Sequence, residues 1–242
     1  MSDAPYRIIG KPRAGEVLIV SDHASNRVPA GIDLGIDPAL LELHIARDIG
    51  VGAVAGLMCR RPGFAAFLGN VSRLVCDFNR DESVDEIVPE TSDGHVIPGN
   101  RLTPAQREER LVRFYRPYHA ALAALLAAEP PALILSLHSF TPRLASNPAE
   151  QRPWQVGLLY DRDDRAARIA IPLLEAEGLS VGDQQPYSGE ELNESMNRHG
   201  EAMDRRYLGV EVRQDQIGDV AGQAIWAERL ERICHAVMAR LG

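Results

Sequence analysis

A chain of 242 residues, 45% hydrophobic and 25% charged, can bury a sizeable core and is too apolar to stay disordered. Its formal charge of −8 argues against the basic footprint that a nucleic acid or an anionic membrane surface needs. A small anionic substrate remains compatible with it, because a few local arginines can hold one, and all positive charge except Lys11 is arginine.

In chain order, the first apolar run is residues 17–20 (VLIV), a predicted buried strand followed by Ser-Asp-His23. Residues 38–59 carry helical periodicity after an aspartate. Residues 72–77 form a second predicted strand, with Asp77, Asn79 and Arg80 within and after it. Residues 81–100 are acidic and contain Pro89 and Pro98, the composition of an exposed active-site loop. Residues 103–128 open on T-P-A-Q, an N-cap threonine with proline at the first helical position. Strands follow at 132–137, 156–160 and 209–212, with helices at 162–178 and 219–241. Strands alternating with helices of this length predict one α/β domain over residues 1–242. Its sheet is mostly parallel or mixed and has helices on both faces.

Cys59, Cys76 and Cys234 have no CxxC spacing, so reduced thiols are expected and a cysteine zinc site is not. The start of the chain lacks a signal-peptide pattern, and no apolar run approaches the roughly 20 residues of a membrane span. A cytoplasmic protein is expected, and a homo-oligomer is compatible with the sequence.

In parallel sheets, ligands bind beyond the carboxyl ends of the strands. His23 and His138 each follow a predicted strand, and neutral imidazoles so placed suit a zinc site completed by a carboxylate and a water. Asp48 lies four residues after His44 on the predicted helix, so the two share a face and point at the sheet edge or form a solvated pair. Glu211 sits inside the apolar strand GVEV. A carboxylate there is costly unless paired or liganded, and it serves as a general base or as half of a buried ion pair. Arg73, Asn79, Arg80 and Arg213 supply planar donors near the same edge, suited to a substrate carboxylate.

The strings VLIVSDHASNRVP, HIARDIG, SRLVCDFNR, ILSLHSFTP, NRHGE and VEVRQD together resemble the N-formylglutamate amidohydrolase family in order and spacing, over nearly the whole chain. That resemblance implies a fold similar to zinc exopeptidases and cell-wall amidases, a divalent metal such as zinc, and hydrolysis of the amide of an N-acyl amino acid. It makes His23 and His138 metal ligands, with Asp48 as the carboxylate ligand and Asp22 or Asp77 as alternatives. Glu211 takes the place of the general base. Arg73, Asn79, Arg80 and His199 fall where polar substrate-handling residues stand, and His199 or an arginine is the expected oxyanion donor. The HIARD stretch departs from the more acidic family pattern, which leaves the role of His44 and the choice of acyl amino acid open. Three alternatives compete: a cell-wall-type amidase or carboxypeptidase, a metal-free binding protein of the same fold, and a hydrolase using Ser139 as nucleophile. The last lacks a G-x-S-x-G elbow.

Overall fold

The computed structural model describes residues 4–242. Its strands are β1 (Tyr6–Ile9), β2 (Val17–Ser21), β3 (Phe64–Gly69), β4 (Thr91–Ser92), β5 (His95–Val96), β6 (Leu133–Phe140), β7 (Val156–Leu159), β8 (Val181–Asp183) and β9 (Tyr207–Arg213). The α-helices are α1 (Val51–Met58), α2 (Pro104–Arg110), α3 (Arg116–Ala128), α4 (Arg165–Ala176), α5 (Glu194–His199) and α6 (Val220–Leu241). All strands but β4 and β5, which pair as a small hairpin, form one seven-stranded sheet in the order β1-β3-β2-β6-β9-β7-β8. The central strands β3, β2, β6 and β9 are mutually parallel, whereas β1 and β7 pair antiparallel to β3 and β9.

The connection from β2 to β3 moves one way across the sheet, and that from β3 to β6 moves back past β2. Two connections that run in opposite directions and obey the right-handed crossover rule put their helices, α1 and α3, on opposite faces. Accordingly, α1 and α4 pack against α6, and α3 meets α5. Both faces of the central strands are therefore covered. This is why β2 and β6 are buried along their whole length, β2 being apolar up to its last residue. The reversal of direction opens a crevice at the carboxyl ends of β2 and β6, where a sheet of this kind binds its ligand.

Local sequence explains most of the elements. Thr103 caps α2 in a reciprocal box with Gln106, and Asp219 caps α6 by accepting from the Gly222 amide at 2.8 Å. A π-helical turn over Leu111–Tyr115 joins α2 to α3, so the helix expected at 103–128 runs through with one bulge.

Three expectations are corrected. Residues 38–59 are not one helix: Pro38–Glu42 is a 3-10 turn, and α1 begins only at Val51. Gly50 separates them at φ 85°, where a Cβ would also strike the Ile217 carbonyl oxygen. Residues 72–77, all buried except the half-buried Arg73, form no strand. They coil through turn bonds from the Val75 and Cys76 amides to Ser72, while the Ser72 hydroxyl donates to the Ala46 carbonyl at 2.8 Å. Burial there comes from packing, without a ladder. Finally, the strand expected at 132–137 continues to Phe140, so His138 lies inside β6 rather than after it. The sequence reading also missed β3, although FAAFLG is apolar throughout and wholly buried. No helix among the described residues is long and apolar enough to cross a membrane.

Candidate active site

Two strand ends and one turn converge in the crevice. His23 stands two residues past β2. A Cβ at Gly69, the last residue of β3, would run into the Asp22 carbonyl, so glycine there lets the two strand ends approach. Asp48 lies in the turn that replaces the expected helix, held by its amide bond to the His23 carbonyl at 2.9 Å. The neighbouring Ser139 hydroxyl donates to the Ile49 carbonyl at 3.0 Å and ties this turn to β6.

His23, Asp48 and His138 are all buried, and one ligand atom of each lies within 4.8 Å of the others. The Nδ1 atoms of both imidazoles face the same Asp48 oxygen, at 3.5 Å for His23 and 2.8 Å for His138. The opposite ring nitrogens are backed by other carboxylates. His23 Nε2 donates to Asp77 Oδ1 at 2.7 Å, and His138 Nε2 stands 3.3 Å from Asp22 Oδ2. Asp22 is itself gripped by the Tyr118 and Ser195 hydroxyls, at 2.5 and 2.9 Å. Asp22 and Asp77 thus lie behind the histidines, and Asp48 is the carboxylate that shares their inner face.

The charge distribution fits a cation. Burial works to raise the Asp22, Asp48 and Asp77 carboxyls, but facing histidines and Arg73 hold them low, Asp22 at about 2 and the other two well below the usual range. Burial works to lower His138, but Asp22 and Asp48 lift it well above its ordinary value. Among the described residues, Arg73 is the arginine that hydrogen-bonds this buried group: Nε and Nη2 donate to Asp77 at 3.2 and 2.9 Å, and Nη1 to Asp48 at 3.5 Å. Three buried carboxylates against one arginine leave a negative excess. His23 Nδ1, on the inner face, has no hydrogen-bond partner. Two imidazole nitrogens, a carboxylate and a supporting carboxylate behind each ring form a donor set suited to a divalent ion of the zinc type.

Glu211 completes the site. In register it is the partner of His138 across β6 and β9. Burial pushes its carboxyl up to about 7, against the pull of His138, and its Oε2 is buried without a partner. These groups border a cavity of about 110 Å³ that is also lined by Asn79, Arg80 and Tyr187.

The other expected site residues divide. Arg80 lines the cavity with its Nε 4.0 Å from Asp77 Oδ2. Asn79 lines it too, but its side chain accepts from the Ser195 amide at 3.0 Å and donates to the Leu192 carbonyl at 3.4 Å, so it anchors the segment leading into α5. Arg73 likewise spends its donors on Asp77 and Asp48. Arg213 lies outside the cavity, paired with Asp215 at 2.7 Å and donating to the Arg152 and Pro153 carbonyls at 3.2 Å. His199 is also outside, within 2.9 Å of His119 Nδ1. Since His119 Nε2 donates to the Phe78 carbonyl at 3.0 Å, the bond between the rings runs from His199 to His119. His44 borders the cavity, its Nε2 3.1 Å from Asp93 Oδ2 at the tip of the β4–β5 hairpin. The expected active-site loop is therefore partly built in, with Ile87 and Ile97 in the core. Tyr187, on a turn after β8, carried no strand-end or periodic signal.

The N-formylglutamate amidohydrolase family profile matches residues 15–218, a span that contains every residue of this site. The chain belongs to the N-formylglutamate amidohydrolase family. A gene product from Agrobacterium tumefaciens is 27% identical in sequence, with 98% of this chain and 96% of that chain covered and a TM-score of 0.91. The N-formylglutamate amidohydrolase from Ralstonia eutropha JMP134 is 21% identical over 98% of each chain, with a TM-score of 0.76, a likeness of fold. No curated protein matches the sequence at a significant level. For this N-formylglutamate amidohydrolase family member, the family supports an enzyme that hydrolyses amides.

Proposed function

We propose that the protein is a metal-dependent amidohydrolase of N-acyl amino acids, acting on an acidic one such as N-formylglutamate. The observation that carries this reading is Glu211, a buried carboxylate with a free oxygen, in register with a member of the His23, Asp48 and His138 group. Those three residues would hold a divalent ion, with zinc favoured by the nitrogen-rich donor set. When bound, such an ion supplies Lewis acidity, making water nucleophilic near neutral pH and polarising a carbonyl.

The chain's own residues do the rest. Glu211 Oε2 takes the proton of the attacking water and delivers it to the nitrogen of the leaving amino acid. A carboxyl lifted to about 7 suits both directions of that transfer. Arg80, the cavity arginine without a hydrogen-bonded partner among the described residues, anchors a substrate carboxylate. Asp77, bonded to His23 Nε2, holds that imidazole in the tautomer that leaves Nδ1 facing inward, and Asp22 stands 3.3 Å behind His138 Nε2. For N-formylglutamate the products are formate and glutamate.

The test is an amine-release assay on the purified, zinc-supplemented protein with N-formyl, N-acetyl and N-carbamoyl amino acids. Turnover of an acidic N-acyl amino acid, abolished by a chelator and restored by metal, is expected. A protein that retains metal yet releases no amine from any of these would overturn the proposal.

A further inference from the structure

The proposed chemistry places negative charge on the acyl oxygen, and of the donors expected for it, His199 or an arginine, both His199 and Arg73 are turned to other partners. His199 is outside the cavity and bonded to His119. Arg73 directs three of its donors to Asp77 and Asp48. The remaining side-chain donors around the cavity are mostly committed as well. The Ser139 hydroxyl donates to Ile49 at 3.0 Å, the Thr141 hydroxyl to Arg143 at 2.8 Å, and the Asn79 amide to Leu192 at 3.4 Å. His44 Nε2 faces Asp93 at 3.1 Å without a hydrogen bond. Among the described residues lining the cavity, the Arg80 side chain donates no hydrogen bond, His44 Nε2 has no hydrogen-bond partner, and the Tyr187 hydroxyl accepts one bond and keeps its own proton.

Tyr187 is built into place. Its hydroxyl oxygen accepts from Arg152 Nη1 at 2.9 Å, and the same guanidinium lies over the ring, 5.1 Å from its centroid. Arg152 is buried and fixed in turn. Its Nε donates to Glu150 at 2.6 Å, its Nη1 also reaches the Thr141 carbonyl at 3.4 Å, and its own carbonyl accepts from Arg213 at 3.2 Å. A hydroxyl that accepts from a cation has one proton left, and the accepted bond polarises it into a stronger donor. Burial keeps the phenol neutral, its pKa raised, with Glu211 the next contributor.

We propose that Tyr187 is a catalytic residue whose hydroxyl donates a hydrogen bond to the acyl oxygen as it becomes an oxyanion, and that Arg152 is the positioning residue that aims it. This role rests on the amidohydrolase function proposed above. No proton is transferred from Tyr187. The water oxygen bonds to the acyl carbon, the C=O π electrons move onto the oxygen facing Tyr187, and they return when the C–N bond breaks. The amine leaves with the proton carried by Glu211. Because the bond strengthens only as charge develops, its removal acts on turnover rather than on substrate binding.

The experiment compares wild type, Tyr187→Phe and Arg152→Gln as zinc-loaded proteins on the same N-acyl amino acid. Melting temperature, metal content and the affinity of a tetrahedral phosphonamidate mimic are measured by thermal shift, elemental analysis and calorimetry. For Tyr187→Phe, kcat is expected to fall about 10²–10³-fold, the range for a lost oxyanion donor, with KM nearly unchanged. The mimic should lose affinity in parallel, and glutamate itself should not. Arg152→Gln should lower kcat less and leave metal content intact. A folded, metal-loaded Tyr187→Phe variant with wild-type kcat overturns the role while the amidohydrolase function stands. A rise in KM alone also overturns it, because Tyr187 would then contact substrate equally in both states. A wild type inactive on every N-acyl amino acid overturns the function and this role together.

Discussion

His138 and Glu211 are register partners on neighbouring parallel strands, a ligand candidate and a base candidate projecting from the same level of the sheet. The sheet itself sets their spacing, so no loop movement is needed to bring proton acceptor and metal group together. Glu211→Gln keeps the shape and removes the acceptor. Turnover should then fall about 10²–10⁴-fold, the usual range for lost general-base help, with metal content unchanged. Turnover, metal content and melting temperature measured on one sample check this. Normal turnover in a folded, metal-loaded variant would leave the base unassigned.

About one divalent ion per chain is expected to bind at His23, Asp48 and His138. Elemental analysis should show it lost from His23→Ala and from His138→Ala. Asp77→Asn, which touches no ion, should still weaken binding by about 10–100-fold, because the carboxylate behind an imidazole raises its basicity and fixes its tautomer. Chelator competition measures the change. Wild-type affinity in all three variants would remove the site.

Arg80 carries the substrate carboxylate in this scheme. Arg80→Lys keeps the charge but loses the paired donors. The Michaelis constant for an acidic N-acyl amino acid should rise about tenfold, since a charge-assisted bond contributes about 1.5–3 kcal/mol. An unchanged constant would mean that Arg80 only supports Asp77.

The buried pair His119 and His199 gives a pH dependence of stability away from the metal group. Burial lowers His119 to about 3, against the pull of Asp22, and lowers His199 to about 4. Unfolded, each titrates near 6.5. Between those values the unfolded state binds more protons, so stability is fully present above about pH 6.5 and is lost as pH falls. Each histidine adds a slope of up to about 1.4 kcal/mol per pH unit in that window. His119→Gln should flatten the fall in melting temperature between pH 6.5 and 4 relative to wild type. Parallel curves would show that His119 does not carry it.

Strand chemistry made much of this visible in the sequence. The buried runs at 17–20, 132–137 and 209–212 are strands, and they deliver His23, His138 and Glu211 to one crevice. Asp48 is implied as the carboxylate ligand by the family resemblance, not by local periodicity. Its spacing from His44 looked helical, but the Gly50 break turns this segment into a turn that points Asp48 at the histidines and His44 at Asp93. Arg213 follows Glu211 by two residues, the spacing of one strand face, yet the chain leaves the sheet there and Asp215 captures it. Whether a side chain's donors are already spent depends on contacts between distant segments. This is why Arg73 and Asn79 looked free in the sequence and why Tyr187, on an irregular turn, was invisible.

Tyr118 and His119, adjacent on α3, grip the site from behind: one holds Asp22, the other the Phe78 carbonyl. Tyr115, at the end of the π-helical turn, holds the Arg80 carbonyl at 2.9 Å. None of the three borders the cavity, yet together they brace the segments that carry Asp22, behind His138, and Arg80. The helix therefore acts as a template for the site. Residues that never meet substrate should tune its affinity for the ion, and a surface map of the cavity would overlook them.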